Sequence, residues 1–232
     1  KNEIVSIITQ AHDEGLRDYD TASVYGISEQ ILGELFHQLG IKDQVRIYTK
    51  IEPLDEDTRS SPKSSKNQII DSLDRSLKRL GLNCVHGVLF HNEEDFRYMD
   101  ILIEQKKAGK CLRVGVSCSH DPEVVMSLID SGLVDSIQLP VNLMDRRHLD
   151  ARMLEKANAK GVLRFIRSAF LQGVLTMKNT NIPVALKYLR PLHSLYTDLA
   201  LQAGMTLKEM ALRFQLNQRI TSLIIGIESL EQ

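Results

Sequence analysis

The sequence predicts an α/β fold of parallel strands covered by helices, and three observations carry that prediction. Hydrophobic spacing switches seven times from a helical period to a short β-rich run. The runs are apolar almost throughout, as expected of strands buried on both faces. No β-hairpin signal joins any two of them. A doubly wound sheet and a closed barrel both satisfy this pattern, and seven units in sequence without a hairpin lean toward the barrel.

The first unit pairs a helical stripe of Ile4, Val5, Ile7, Ile8 and Ala11, closed by Gly15, with a short run leading to Asp20. In the second, Ser28 is the candidate N-cap, Ile31, Leu32, Leu35, Phe36 and Leu39 form the stripe, Gly40 stops it, and VRIYTK is the strand. The third helix is expected from Asn67 through Ile69, Ile70, Leu73, Leu77 and Leu80 to Gly81, followed by CVHGVLFH. LRVGVS from Leu112, DSIQLP from Asp135, VLRFIRS from Val162 and SLIIG from Ser222 are the remaining strands, each after a segment of helical pattern. The stretch from Leu171 to Thr221 is too long for one helix. It is read as a loop, an extra helix over 184–201 interrupted at Pro191, and a regular helix from Leu207 to Leu216. SSPKSSK, near Ser60, reads as a polar loop before a helix.

Composition removes several function classes. The 232 residues suffice for one domain, expected over 1–232. Twenty-nine basic and 30 acidic residues leave a net charge of -1, so neither a nucleic acid nor an anionic membrane surface is an expected partner. No apolar run approaches the roughly 20 residues that cross a bilayer, and the N-terminus lacks a signal-peptide layout, so a cytoplasmic setting is expected. Cys84, Cys111 and Cys118 are an odd count in apolar surroundings and suit reduced thiols. The seven histidines show no ligand spacing, so no metal is expected. Nothing in composition or motif assigns an oligomeric state.

On a parallel α/β scaffold, functional side chains gather at the C-terminal ends of strands. Those ends carry Asp20, with Tyr25 just beyond it, then Lys50 and His91. Each alone has an ordinary structural explanation, as a cap, a paired charge or a packed imidazole. Together they make a chemical set. A phenol with a pKa of about 10 gives up its proton reluctantly near neutrality. A neighbouring ammonium favours the phenolate, and a carboxylate keeps that ammonium charged and oriented. Asp20, Lys50 and Tyr25 form such a relay, and His91 is placed to hold a substrate oxygen.

These residues sit in a recognisable setting. DTASVYGISEQILG, residues 20–33, resembles the aldo-keto reductase signature Asp-Thr-Ala-x-x-Tyr-Gly-x-Ser-Glu-x-x-Leu-Gly. YTK at Tyr48, SLDRSLKRLGL followed by VLFH, RVGVS at Arg113 and IIGIESLEQ follow in the order that family uses, so the resemblance spans essentially the whole chain. It implies a (β/α)8 TIM barrel, a small-molecule carbonyl substrate, a nicotinamide cofactor, and a catalytic Asp20, Tyr25, Lys50 and His91. It also implies that Ser117, Cys118 and Gln138 hold the nicotinamide, that Arg167, Ser168 and Phe170 line the path of the cofactor and its pyrophosphate, and that Gly226, Glu228 and Gln232 lie near the adenosine end. Two positions depart from the family. Cys118 stands where Asn is common and offers no amide. Between Gly226 and Gln232 there is no Arg or Lys, and the acidic Glu228 suits ribose hydroxyls better than a 2'-phosphate. The family favours NADP(H), whereas this local chemistry favours NAD(H). A cofactor-binding regulatory protein with weak turnover is the alternative function.

QLPVNLMDRR and RSAFLQGVL resemble a bacterial branch associated with surface-polysaccharide biosynthesis, which implies a sugar-derived carbonyl. Arg146 and Arg147 are candidate contacts for an anionic substrate group, or surface charges. A full barrel takes about 250 residues. The seven units open on a helix and end just after a strand, so the expectation is a barrel lacking its first strand and last helix in this chain, part of a longer protein or a fragment needing a partner.

Overall fold

A computed structural model describes residues 2–119 and 121–232. The chain divides into two compact units, one comprising Lys1–Cys118, Ser131–Ile137 and Gly226–Gln232, the other Ser119–Asp130 and Gln138–Ile225.

In the first unit, helix α1 (Asn2–Asp13) leads to β1 (Asp18–Asp20), α2 (Ser28–Gln38), β2 (Arg46–Ile51), the short α3 (Glu56–Arg59), α4 (Pro62–Leu80), β3 (Gly87–Phe90), α5 (Met99–Lys107) and β4 (Val114–Ser117). The four strands pair in chain order and in parallel, with Asp20 opposite Tyr48, Lys50 opposite Leu89 and Phe90 opposite Val116. Ile47, Ile51, Leu89 and Phe90 on the strands and Phe36, Ile69, Leu73 and Leu80 on the helices are fully buried. Each such side chain contributes about 1.5–3 kcal/mol by leaving water.

Two helix starts differ from the sequence expectation. Ser28 is the first helical residue, with Ile27 at the N-cap, and its hydroxyl instead meets Thr21 Oγ1 at 2.7 Å. Helix α4 begins at Pro62, five residues before Asn67. Ser61 caps it by accepting from Ser64 N–H, and Pro62, which has no N–H to leave orphaned, suits the first turn. Gly33 lets α2 lie against α4, because a Cβ there would meet Arg79 O at 2.6 Å and Leu80 O at 2.8 Å. The buried Asp95 carboxylate ties the loop after β2 to the 3-10 turn Glu93–Tyr98 after β3, accepting from Leu54 N–H at 3.3 Å and Arg59 Nε at 2.8 Å.

The second unit contains α6 (Pro122–Asp130), α7 (Arg147–Asp150), α8 (Met153–Ala159), β6 (Leu163–Arg167), α9 (Arg190–Gln202), α10 (Leu207–Leu216) and β7 (Ser222–Leu223), while β5 (Ser136–Pro140) has residues in both units. Strands β6 and β7 pair in parallel, Phe165 opposite Ser222. Helix α10 has the bounds read from the sequence, and a reciprocal capping box between Thr206 and Glu209 sets its start. Pro191 does not interrupt a helix. It stands in the first turn of α9, after a 3-10 segment over Val184–Leu189. Leu143, Leu175, Leu207 and Ala211 form a core against which Phe170, Tyr196 and Phe214 pack. Among the described residues, no helix is long and apolar enough to cross a membrane.

Candidate active site

Strand ends position the site. Asp20 closes β1, Lys50 is one residue from the end of β2, and His91 directly follows β3. The parallel register therefore brings all three to one edge. Tyr25 lies on the loop between β1 and α2, which is laid along β2 by Thr21 N–H to Tyr48 O at 2.9 Å and Ser23 N–H to Lys50 O at 3.2 Å.

The Lys50 ammonium is the most buried charge of the group, its side chain 1% exposed. Such a cation persists only where charge and hydrogen bonds replace lost water. Lys50 Nζ donates to Asp20 Oδ2 at 2.7 Å and to Thr21 O at 2.9 Å. It lies 5.2 Å from the centre of the Tyr25 ring. The His91 ring stands nearly edge-on to that ring, 5.7 Å between centroids and 83° between planes. The structure thus brings the four sequence-predicted residues together, Lys50 and His91 against the Tyr25 ring and Asp20 on Lys50, and Tyr25 is half-exposed. His86, five residues before His91, is a different kind of group: burial, with Arg46 and Arg113 nearby, holds its imidazole below the usual histidine range.

Of the residues expected to hold a cofactor, Ser117 ends β4 in the same unit, and buried Cys118 follows with its Sγ 3.7 Å from Val116 O. Gly226, Glu228 and Gln232 lie on the closing segment, where Glu228 N–H donates to Gln232 Oε1 at 2.7 Å. The second unit holds Gln138, buried in β5, and Arg167, which ends β6 with Nη1 3.4 Å from Ser168 Oγ. Phe170 packs on that unit's apolar core. The loop after β6 carries three non-glycine residues in left-handed backbone, Ser168, Leu171 and Gln172, at φ of 63°, 47° and 51°. Strain of this kind collects at ligand-holding loops. Arg146 lies 3.7 Å from Asp150 and Arg147 2.7 Å from Asp145, so both are at least partly committed within their own helix region.

The sequence reading passes over three residues around Tyr25. Glu29, buried in the first turn of α2, accepts from Thr49 Oγ1 at 2.6 Å and Arg79 Nη1 at 3.2 Å. Glu29 stands inside the signature span, so the only signal was an acidic residue on a helix face that packs inward. Among the described residues, no group of three potential ligands could hold a metal ion.

Known proteins share both sequence and fold with this chain. Residues 1–232 match the model of the Aldo/keto reductase family. An L-glyceraldehyde 3-phosphate reductase of Escherichia coli (strain K12) is 28% identical, over 98% of this chain and 75% of that protein. The holo-form structure of the aldo-keto reductase AKR11C1 from Bacillus halodurans superposes with a TM-score of 0.79 at 22% identity, over 98% of this chain and 78% of that one. The glycerol dehydrogenase AKR11B4 from Gluconobacter oxydans gives 0.73 at 22% identity, over 96% and 75%. These likenesses assign the (β/α)8 fold that the family resemblance implies and toward which the strand and helix pattern leans. The chain belongs to the aldo/keto reductase family and is an oxidoreductase.

Proposed function

We propose that the protein reduces an aldehyde or ketone to the alcohol, with Tyr25 as proton donor. The observation that carries this reading is the buried Lys50 ammonium, held on Asp20 at 2.7 Å and standing 5.2 Å from the Tyr25 ring. When bound, a reduced nicotinamide supplies the hydride that forms the new C–H bond. As the carbonyl π pair moves onto oxygen, that oxygen takes the proton of the Tyr25 hydroxyl. Lys50 stabilises the negative charge left on the phenol oxygen, and Asp20 keeps Lys50 charged and in place. His91, edge-on to Tyr25, orients the carbonyl oxygen. Tyr25, half-exposed, regains its proton from water.

The family resemblance supports the cofactor-binding set, and its residue types suit that group within each unit. In the first, Ser117 offers a hydroxyl for a nicotinamide, and Gly226, Glu228 and Gln232 backbone and side-chain polar groups for a ribose; in the second, Gln138 offers an amide, Arg167 and Ser168 a guanidinium and hydroxyl for a pyrophosphate, and Phe170 an apolar ring. The family supports NADP(H), and Glu228 supports NAD(H). A sugar-derived carbonyl is the substrate class we favour, on the resemblance of QLPVNLMDRR and RSAFLQGVL, in a cytoplasmic setting. A cofactor-binding protein of weak turnover is the second reading, favoured by Cys118 at a position where an amide would serve the nicotinamide.

Tyr25→Phe is the test. It should lower carbonyl reduction by about 100-fold to 10,000-fold while reduced cofactor still quenches or enhances fluorescence on titration. Undiminished turnover would sink the role of Tyr25, and tight cofactor binding with no turnover by the parent would favour the second reading.

A further inference from the structure

Tyr25 belongs to no strand or helix, and its side chain is half-exposed, on a loop that the Thr21 and Ser23 amides lay along β2. Side chains add a polar bracket to those backbone bonds. Arg79, near the end of α4, donates from Nη1 to Ser23 O at 3.3 Å, two residues before Tyr25, and to Glu29 Oε2 at 3.2 Å, four residues after it. The other Glu29 oxygen accepts from Thr49 Oγ1 at 2.6 Å, on the residue that precedes Lys50. Glu29 and Thr49 are buried, whereas the Arg79 side chain is 40% exposed. One guanidinium therefore touches both flanks of the Tyr25 loop, and one carboxylate joins that loop to the strand bearing the ammonium. The close approach of α2 to the carbonyls of Arg79 and Leu80 at Gly33 leaves this arrangement little slack.

We propose that Arg79, acting through Glu29, is a positioning residue that clamps the Tyr25 loop onto β2 and so sets the separation between phenol and ammonium. The inference rests on Tyr25 being the proton donor. Charge-assisted hydrogen bonds give such a clamp stiffness, and a misplacement of about 1 Å at a reacting group costs on the order of 100-fold in rate. Arg79 is partly in water, but its removal leaves the buried Glu29 carboxylate without this charge partner, whereas Arg79→Lys keeps the charge.

The experiment compares the full chain with Arg79→Met, Arg79→Lys and Tyr25→Phe, using reduced cofactor and a simple aromatic aldehyde. Arg79→Met should lower kcat by about 10-fold to 100-fold with the cofactor KM changed less than about twofold. The alkaline limb of its kcat profile should move to higher pH, because a phenol farther from the ammonium is the weaker acid. Arg79→Lys should recover part of the rate. Amide exchange over residues 22–29, which needs no turnover, should rise about tenfold or more in Arg79→Met. Parental kcat, an unmoved limb or unchanged exchange overturns the clamp while an inactive Tyr25→Phe leaves the proton donor standing. Full activity of Tyr25→Phe overturns the donor itself. Failure of Arg79→Met and Arg79→Lys to fold overturns the clamp too, since Arg79 would then be a fold determinant.

Discussion

Replacing Asp20 by Asn keeps the shape of the side chain and one hydrogen-bond acceptor but removes the charge that neutralises Lys50. The ammonium, 1% exposed, would then lose its anionic partner and keep Thr21 O and an amide oxygen as acceptors. Leaving one partner of a buried pair uncompensated costs about 3–5 kcal/mol. The loss has a ceiling, because Lys50 would shed its proton instead, and deprotonating an ordinary lysine at pH 7 costs about 4.6 kcal/mol, from 3.4 pH units at 1.36 each. Asp20→Asn should therefore lose about 3–4.5 kcal/mol, a fall in Tm of roughly 6–18 °C for a chain of this size. Lys50→Met should cost less, since Asp20 is 14% exposed and keeps some contact with water. The double substitution should cost clearly less than the two singles together, by about 2 kcal/mol or more. Urea unfolding at pH 7, followed by far-ultraviolet circular dichroism on all four chains, measures this. A loss below about 1 kcal/mol in Asp20→Asn, with the double equal to the sum within about 0.5 kcal/mol, would refute the view that the pair is a desolvated, mutually dependent unit.

Two further outcomes test packing and titration. Gly33→Ala places a methyl against two backbone carbonyls that cannot rotate away, so it should destabilise by about 1–3 kcal/mol despite the better helix propensity of alanine, and an unchanged unfolding midpoint would contradict the α2–α4 contact. Burial pushes the Cys111 thiol up to about 12. An unfolded chain ionises near ~8.5, so the folded form keeps a proton that the unfolded form releases, and this stabilisation is whole below that pH and lost as pH rises toward the folded value. By pH 10 the loss is about 1.5–2 kcal/mol. Parent and Cys111→Ala, unfolded in urea at pH 7.5 and 10, should differ in pH dependence by that amount, and parallel curves would contradict it.

Much of the fold is legible in spacing. Helix α10 runs from Leu207 to Leu216 as its helical pattern indicates, and the strand ends carry Asp20, Lys50 and His91 where the alternation puts them. Starts were harder. At Ser61–Pro62 a cap and a proline open α4 within a stretch whose polar composition looks like loop, and at Pro191 the residue that reads as an interruption lies in the first turn of a helix. Composition is an average, whereas a cap depends on one hydrogen bond. The polar bracket around Tyr25 was not legible at all, since Glu29, Thr49 and Arg79 are separated by 20 to 50 residues and follow no shared period.

The amino-acid sequence by itself determined the alternation of helix and strand, the four candidate groups for the proposed proton chemistry, and the family signature, because these depend on local spacing and residue type. Only the tertiary structure decided that Lys50 is a buried ammonium on Asp20, that Tyr25 stands within reach of its field, and that a half-exposed arginine on α4 brackets the phenol's loop. Burial and charge pairing are properties of neighbours in space, and those neighbours come together only when parallel strands bring distant segments to the same edge.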